Sequence, residues 1–281
     1  MFALIKYYRL NLIVPVLLAV ITVFWLIAGS PMTLLNTVQL GQTVRIGYAI
    51  EPPYAYMDSQ QRVTGESPES ARQIASALGI DNIEWVELPF AELIPALQNR
   101  QIDLIASGLF INRQRQQQVR FTVPTIKVYP GLLMAADNKA DLSNDFLENL
   151  KADRRFVVID GSVEAAKLAQ LEQPVNSLTV KDLPAAIDQL KPENNNALLL
   201  SLPTLQMLAN LNENFQVIPL NTESSQRLSP DYVAFAFHRD DVDLFSAWNA
   251  AMQKWIGSEQ HLETIAPFGF GRQDIVAPNI R

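Results

Sequence analysis

Val44-Arg45-Ile46-Gly47-Tyr48-Ala49-Ile50-Glu51-Pro52-Pro53-Tyr54 is the stretch on which the fold turns. Val44–Ala49 is a short, mostly apolar run, and the chain then meets an acid and two prolines. Runs of this kind, bounded by turn residues, read as strands, and a proline cannot continue the ladder. Working outward, comparable runs recur at Ile83–Leu88, Ile102–Ala106, Leu132–Ala135, Phe156–Ile159, Ala197–Leu200, Phe215–Ile218 and Val233–Phe237. Helical patterns lie between them. Ser67-Pro68-Glu69 offers a cap, a first-turn proline and an acid in that order. Glu92–Asn99 carries Leu93, Ile94 and Leu97 on one face, and Leu183–Leu190 and Pro203–Leu211 repeat the pattern. Val242–Ile256 and His261–Ile265 predict two consecutive helices near the end. Strands alternating with helices predict an α/β fold with largely parallel sheets.

The order of these elements predicts two lobes. Residues 44–131 form one block, a second block runs from about 135 to 231, and a last strand is followed only by helices. Those helices are expected to return to the first block. Lobe 1 is then 43–133 with 238–281, lobe 2 is 134–237, and a hinge of two crossings joins them. Ligands of open α/β sheets bind at the carboxyl ends of the strands, so two such lobes face each other across a cleft.

Length and composition agree with this plan. The 281 residues suffice for two lobes of roughly 100–150 residues each, and the 48% apolar content suffices for their cores. A net charge of −7 without a basic cluster argues against nucleic acid as a partner. The absence of cysteine excludes thiol catalysis, Cys-ligated zinc, disulfides and a lipid-modified N-terminal cysteine. Near the N-terminus, Lys6 and Arg9 precede an almost uncharged apolar run, Leu10–Ala28, long enough to span a bilayer of about 30 Å. No Lys or Arg follows until Arg45, which places the remainder outside the cytoplasm. Residues 1–30 are therefore a signal anchor or a cleaved signal peptide. Length favours the anchor, and the small residues Ala28-Gly29-Ser30 suit cleavage. The polar stretch 31–42 reads as a linker.

The strand-end rule selects candidate binding residues. After the first strand come Glu51 and Tyr54, after the second Phe90, and after the third Phe110, Asn112 and Arg115. In the second lobe the first strand leads to Gly161-Ser162-Val163-Glu164, and the next to Ser201. Two carboxylates, one guanidinium and several aromatics suit a small zwitterion. Arg115 can hold a carboxylate bidentately. Tyr54, Phe90 and Phe110 can offer ring faces to a cation that Glu51 and Glu164 neutralise. Free N–H groups near Ser162 can meet an anionic group. Each residue also has a plainer explanation. Arg115 lies in a polar run and suits a solvated helix face, Glu164 suits a dipole-stabilising first turn, and Phe90 and Phe110 suit the core. His238 and His261 have no second ligand at metal-binding spacing, and no Gly-x-Ser-x-Gly turn accompanies Ser201.

Several segments together resemble the polar-amino-acid-type solute-binding proteins of ABC importers. They are Val44-Arg45-Ile46-Gly47, Pro53-Tyr54, Thr64-Gly65, Leu93-Ile94-Pro95-Ala96-Leu97, Ile102–Gly108 and Arg115 with Val119-Arg120-Phe121 and Pro124. The resemblance spans about residues 43–270. It implies the two-lobed periplasmic-binding-protein fold of type II, no cofactor or metal, a monomer, and an inner-membrane ABC permease as partner. It also implies that Arg115 binds the ligand carboxylate beside the Gly161-Ser162 turn. Ser201 stands where the family often has an aspartate for an α-amino group. Glu51-x-Pro53-Tyr54, Thr64-Gly65-Glu66-Ser67-Pro68-Glu69 and the spacing of Phe90, Phe110, Arg115 and Glu164 resemble the ectoine/hydroxyectoine-binding branch. That likeness implies a ring cation among aromatics, balanced by Glu51 and Glu164. Val163 departs from the polar residue usual in that branch. Two other functions are compatible with the fold: a periplasmic dehydratase using Glu51 and Glu164 as acid and base, and a ligand-sensing domain.

Overall fold

The computed structural model describes residues 32–136, 154–171, 175–220 and 231–276. The apolar run Leu10–Ala28 lies outside them. Among the described residues no helix is long and apolar enough to cross a membrane.

Two five-stranded sheets organise the chain. In the first, Ile83–Glu87, Val44–Tyr48 and Leu104–Ile105 run parallel, and Ala236–Phe237 joins antiparallel, followed by Arg120–Phe121. In the second, Ser177–Val180, Arg155–Ile159 and Asn196–Ser201 run parallel, and Pro130–Ala135 and Phe215–Pro219 complete the sheet through antiparallel pairs. The sheets are thus mixed at one edge rather than uniformly parallel.

Both faces of each sheet are covered, which is why the central strands read as continuous apolar runs instead of alternating ones. In the second sheet Phe156 and Val158 face one core, and Val157 and Ile159 face the other. The first sheet shows the same division. Val44, Ile46 and Leu104 pack with Trp248 and Met252, while Ile105 packs with Leu93 and Leu97. The helix Val242–Trp255 buries Leu244, Trp248, Met252 and Trp255, one stripe at helical spacing. Trp248 meets Phe235 and Phe237 at ring distances of 5.9 and 5.7 Å. The helix Val242–Trp255 thus packs against the first sheet.

Several details differ from the sequence reading. The 31–42 stretch contains a helix, Leu34–Gln39, that buries Val38 in the first core and packs Leu34 and Leu35 beside it. Three apolar residues in a polar context are enough to dock it. The helix expected to be capped by Ser67, with Pro68 in its first turn, spans Glu66–Ala77, and Gly65 is at its cap. Ser67 is buried, donating to Glu66 and accepting from the Gly108 N–H, so its hydroxyl serves tertiary contacts. The sheets also divide the chain slightly differently from the lobe limits 43–133 and 134–237. Pro130–Ala135 belongs to the second sheet and Ala236–Phe237 to the first. Between the sheets the chain crosses twice, and the crossings pair as a two-stranded antiparallel ribbon, Ile126–Val128 against Asp231–Val233.

Candidate functional site

The carboxyl ends of the parallel strands in both sheets converge on one buried region. Glu51 follows the strand Val44–Tyr48, and its backbone pairs with Ala55 to close a tight loop. The loop sets Tyr54 between Phe110, edge-on at 6.2 Å, and Phe270 at 5.7 Å. Tyr54 is wholly buried. Gly108 makes room for it: φ is +60°, and a Cβ there would fall 2.6 Å from the tyrosine Cγ.

Arg115 lies on the short helix Arg113–Gln116, capped by Asn112, whose side chain accepts from the Arg115 N–H at 2.8 Å. Its side chain turns inward and is 6% exposed, so it is not a solvated helix face. One terminal nitrogen donates to the Phe110 carbonyl at 2.6 Å. The other reaches the second lobe and donates to the Gly161 carbonyl at 2.8 Å. Phe90 lies under the guanidinium at 5.4 Å, so the cation it faces is the protein's own. Burial draws Arg115 down to about 10, against the opposing pull of Glu164, Asp231 and Glu51.

From the second lobe comes the turn Gly161-Ser162. Gly161 has φ of +72°, and a Cβ on it would meet the Ala91 Cα of the first lobe at 3.0 Å. Only a glycine permits both that backbone and that approach. The Ser162 hydroxyl caps the helix Val163–Ala169 by accepting from Ala165 N–H at 3.1 Å. Glu164, in the first turn, is 2% exposed, and its Oε1 is buried without a hydrogen-bond partner. Burial, reinforced by the charge of Asp231, pushes Glu164 up to about 7. Burial, reinforced by Glu164, pushes Glu51 up to about 8. Tyr54 is likewise driven well upward by burial and then by Glu51. Its hydroxyl faces Ser201 but makes no well-formed hydrogen bond.

Glu51, Tyr54, Phe110, Arg115 and Glu164 are thus brought into one electrostatic cluster, with Phe90 and Ser162 at its edge. Three contributors were not legible as site residues. Thr204 donates to Glu51 at 3.2 Å, and Lys167 pairs with Asp231 at 2.7 Å. Lys167 stands three residues after Glu164, one helical turn, which was the only local signal for it. Cavities of about 280 and 310 Å³ flank Phe90, one reaching Glu51 and the other Arg115 and Ser162. A larger one, about 440 Å³, lies beyond Pro53 and Phe270 and touches none of the predicted site residues. Convergent buried charge, rather than volume, marks this region as the candidate site. His261 packs on Trp255 and accepts from the Gly257 N–H, and burial lowers it to about 4, which suits a structural role.

Residues 44–268 match the bacterial extracellular solute-binding proteins, family 3. The chain belongs to that family. Membership of this family places it on the outer side of the cytoplasmic membrane. A probable amino-acid ABC transporter periplasmic-binding protein of Sinorhizobium fredii is 24% identical, over 83% of this chain and 79% of its own. A probable histidine-binding protein of Campylobacter jejuni is 28% identical, over 73% and 77%. Among solved structures, EhuB in complex with hydroxyectoine superposes with a TM-score of 0.74 at 22% identity, covering 85% of this chain and 92% of that one. The ancestral amino acid-binding protein AncCDT-1, a precursor of cyclohexadienyl dehydratase, gives 0.72 at 20%, covering 83% and 98%. At such identities these likenesses establish the two-lobed periplasmic-binding-protein fold alone.

Proposed function

We propose that this family 3 protein captures a small zwitterionic solute by lobe closure and presents it to an inner-membrane ABC permease. The solute is an amino acid or an ectoine-type cyclic zwitterion. The relatives named for amino-acid and histidine binding support the first class, and the likeness to EhuB supports the second. The observation that carries the reading is the burial of Arg115 and Glu164 in one region, each within reach of the other's charge and without an ion pair between them among the described residues. A buried guanidinium reaches across to Gly161, and a buried carboxylate beside it has an unpartnered oxygen. Both groups are costly to bury unless a ligand of complementary charge meets them. Arg115 takes the carboxylate, and Glu51 and Glu164 take the cationic group, with Tyr54, Phe90, Phe110 and the Ser162 turn shaping the space. The protein acts as a monomer, and an uncleaved segment 10–28 would hold it near its permease and raise its local concentration there.

A thermal-shift screen tests this with ectoine, hydroxyectoine, glycine betaine, proline and the polar amino acids. A solute at a hundredfold over its Kd stabilises by about 2.7 kcal/mol. A shift with any of them supports capture, and no shift with all of them rejects it. One observation favours a second function. Two buried carboxyls that titrate near 7 and 8 suit an acid–base pair, as in a dehydratase of this fold. Formation of product from a bound cyclic carboxylate would select it.

A further inference from the structure

Thr204 is the third residue of the helix Leu202–Leu211 in the second lobe and is wholly buried. A helical threonine often turns its hydroxyl back to a carbonyl of the preceding turn. Here the hydroxyl points across the cleft instead. It donates to Glu51 Oε1 at 3.2 Å and accepts from the Ser201 hydroxyl at 3.1 Å. The two hydroxyls therefore run head to tail, from Ser201 at the end of its strand to a carboxylate on the other lobe. Such a chain is polarised along its length, and its direction suits an ionised acceptor at the end. Among the described residues Thr204 is the only side chain that hydrogen-bonds the Glu51 carboxylate. The other ionisable groups that bear on Glu51 are Glu164 and Arg115, with Tyr54 in its own loop. Glu164 repels it, and Arg115 is already engaged with two backbone carbonyls.

We propose that Thr204 is a positioning residue: on lobe closure it fixes the Glu51 carboxylate where the solute's cationic group is received. Closure and recognition of positive charge are then one event, because the donor and the acceptor stand on different lobes. The inference rests on the capture of a zwitterion proposed above. The Thr204 bond favours the ionised form of Glu51, whereas burial and Glu164 disfavour it. The tie therefore strengthens as pH rises and the carboxylate forms.

The lobes are in contact in this structure, so the tie can be read in the ligand-free, full-length chain. A double-mutant cycle of Thr204→Val and Glu51→Gln is measured by denaturant unfolding near about pH 5.5 and about pH 9. We expect a coupling of about tenfold in the unfolding constant at the higher pH and about threefold or less at the lower. Thr204→Ser, which restores the hydroxyl, restores the coupling. With ectoine as the probe, Thr204→Val raises Kd about tenfold and Thr204→Ser recovers most of it. Coupling within about twofold at both pH values, or no rescue by serine, overturns the proposal. So does normal coupling with unchanged ectoine affinity, which would leave Thr204 a packing role only. If the wild type does not bind ectoine, that ligand fails while the unfolding cycle still judges the tie.

Discussion

Replacing Arg115 by lysine keeps the charge and removes the fork. The guanidinium donates from one terminal nitrogen to the Phe110 carbonyl at 2.6 Å and from the other to the Gly161 carbonyl at 2.8 Å. It also stacks on Phe90 at 5.4 Å. An ammonium has one centre, so it cannot hold both carbonyls and a ligand carboxylate in the same geometry. A charged hydrogen bond contributes about 1.5–3 kcal/mol. Losing one such bond to the ligand and one across the lobes gives about 3–6 kcal/mol, or a Kd higher by about two to four orders of magnitude. Isothermal titration with the solute found by thermal shift measures this directly. The ligand-free melting temperature should fall far less, because lysine still partly neutralises Glu51 and Glu164. A Kd within about threefold of wild type would refute the assignment of the ligand carboxylate to Arg115.

Three further outcomes follow from the same geometry. Glu51 and Glu164 titrate higher in the folded protein, at about 8 and 7, than carboxyls do in an unfolded chain. Their contribution to stability is therefore complete below about pH 4.3 and is lost as pH rises through about 7 to 8. Glu164→Gln should accordingly stabilise the ligand-free protein near pH 8 by about 1–3 kcal/mol in a denaturant melt, while weakening solute binding. A wild-type stability that is flat over that range would contradict the burial of these carboxyls. Gly161→Ala should raise Kd about tenfold through strain and contact with Ala91, with little loss of melting temperature beyond the strain itself. Lys167→Met, which leaves the mostly buried Asp231 unpaired, should cost about 1–3 kcal/mol at neutral pH and less in acid, as followed by denaturant unfolding.

Strands buried on both faces were legible because nothing polar interrupts them, as in Phe156–Ile159 and Ala197–Leu200. Ser177–Val180 escaped notice because it is an edge strand of alternating exposure with no apolar run to mark it. The ribbon strand Ile126–Val128 is too short to show a period. Ser67 misled because a serine before a proline has the composition of a cap, whereas its burial depends on Gly108, far along the chain. The positions of Glu51, Tyr54, Phe110, Arg115 and Glu164 followed from the strand-end rule, a local inference. Thr204 and Asp231 did not, because each gains its place from a partner that is remote in sequence. Thr204 meets Glu51 only once the second lobe has been laid against the first, and Asp231 meets Lys167 only once the crossing ribbon has folded against the Glu164 helix.

The paired crossings make the joint between the lobes a single mechanical object. Ile126–Val128 and Asp231–Val233 are laced by backbone hydrogen bonds with Val128 opposite Asp231 and Ile126 opposite Val233. Two separate tethers would let one lobe twist, slide and tilt on the other. A laced pair resists sliding along its length and bends most easily across its flat face. The lobe closure proposed above would thereby be narrowed toward one rotational coordinate, and Lys167, paired with Asp231 at the end of the ribbon, links the Glu164 helix to that same axis.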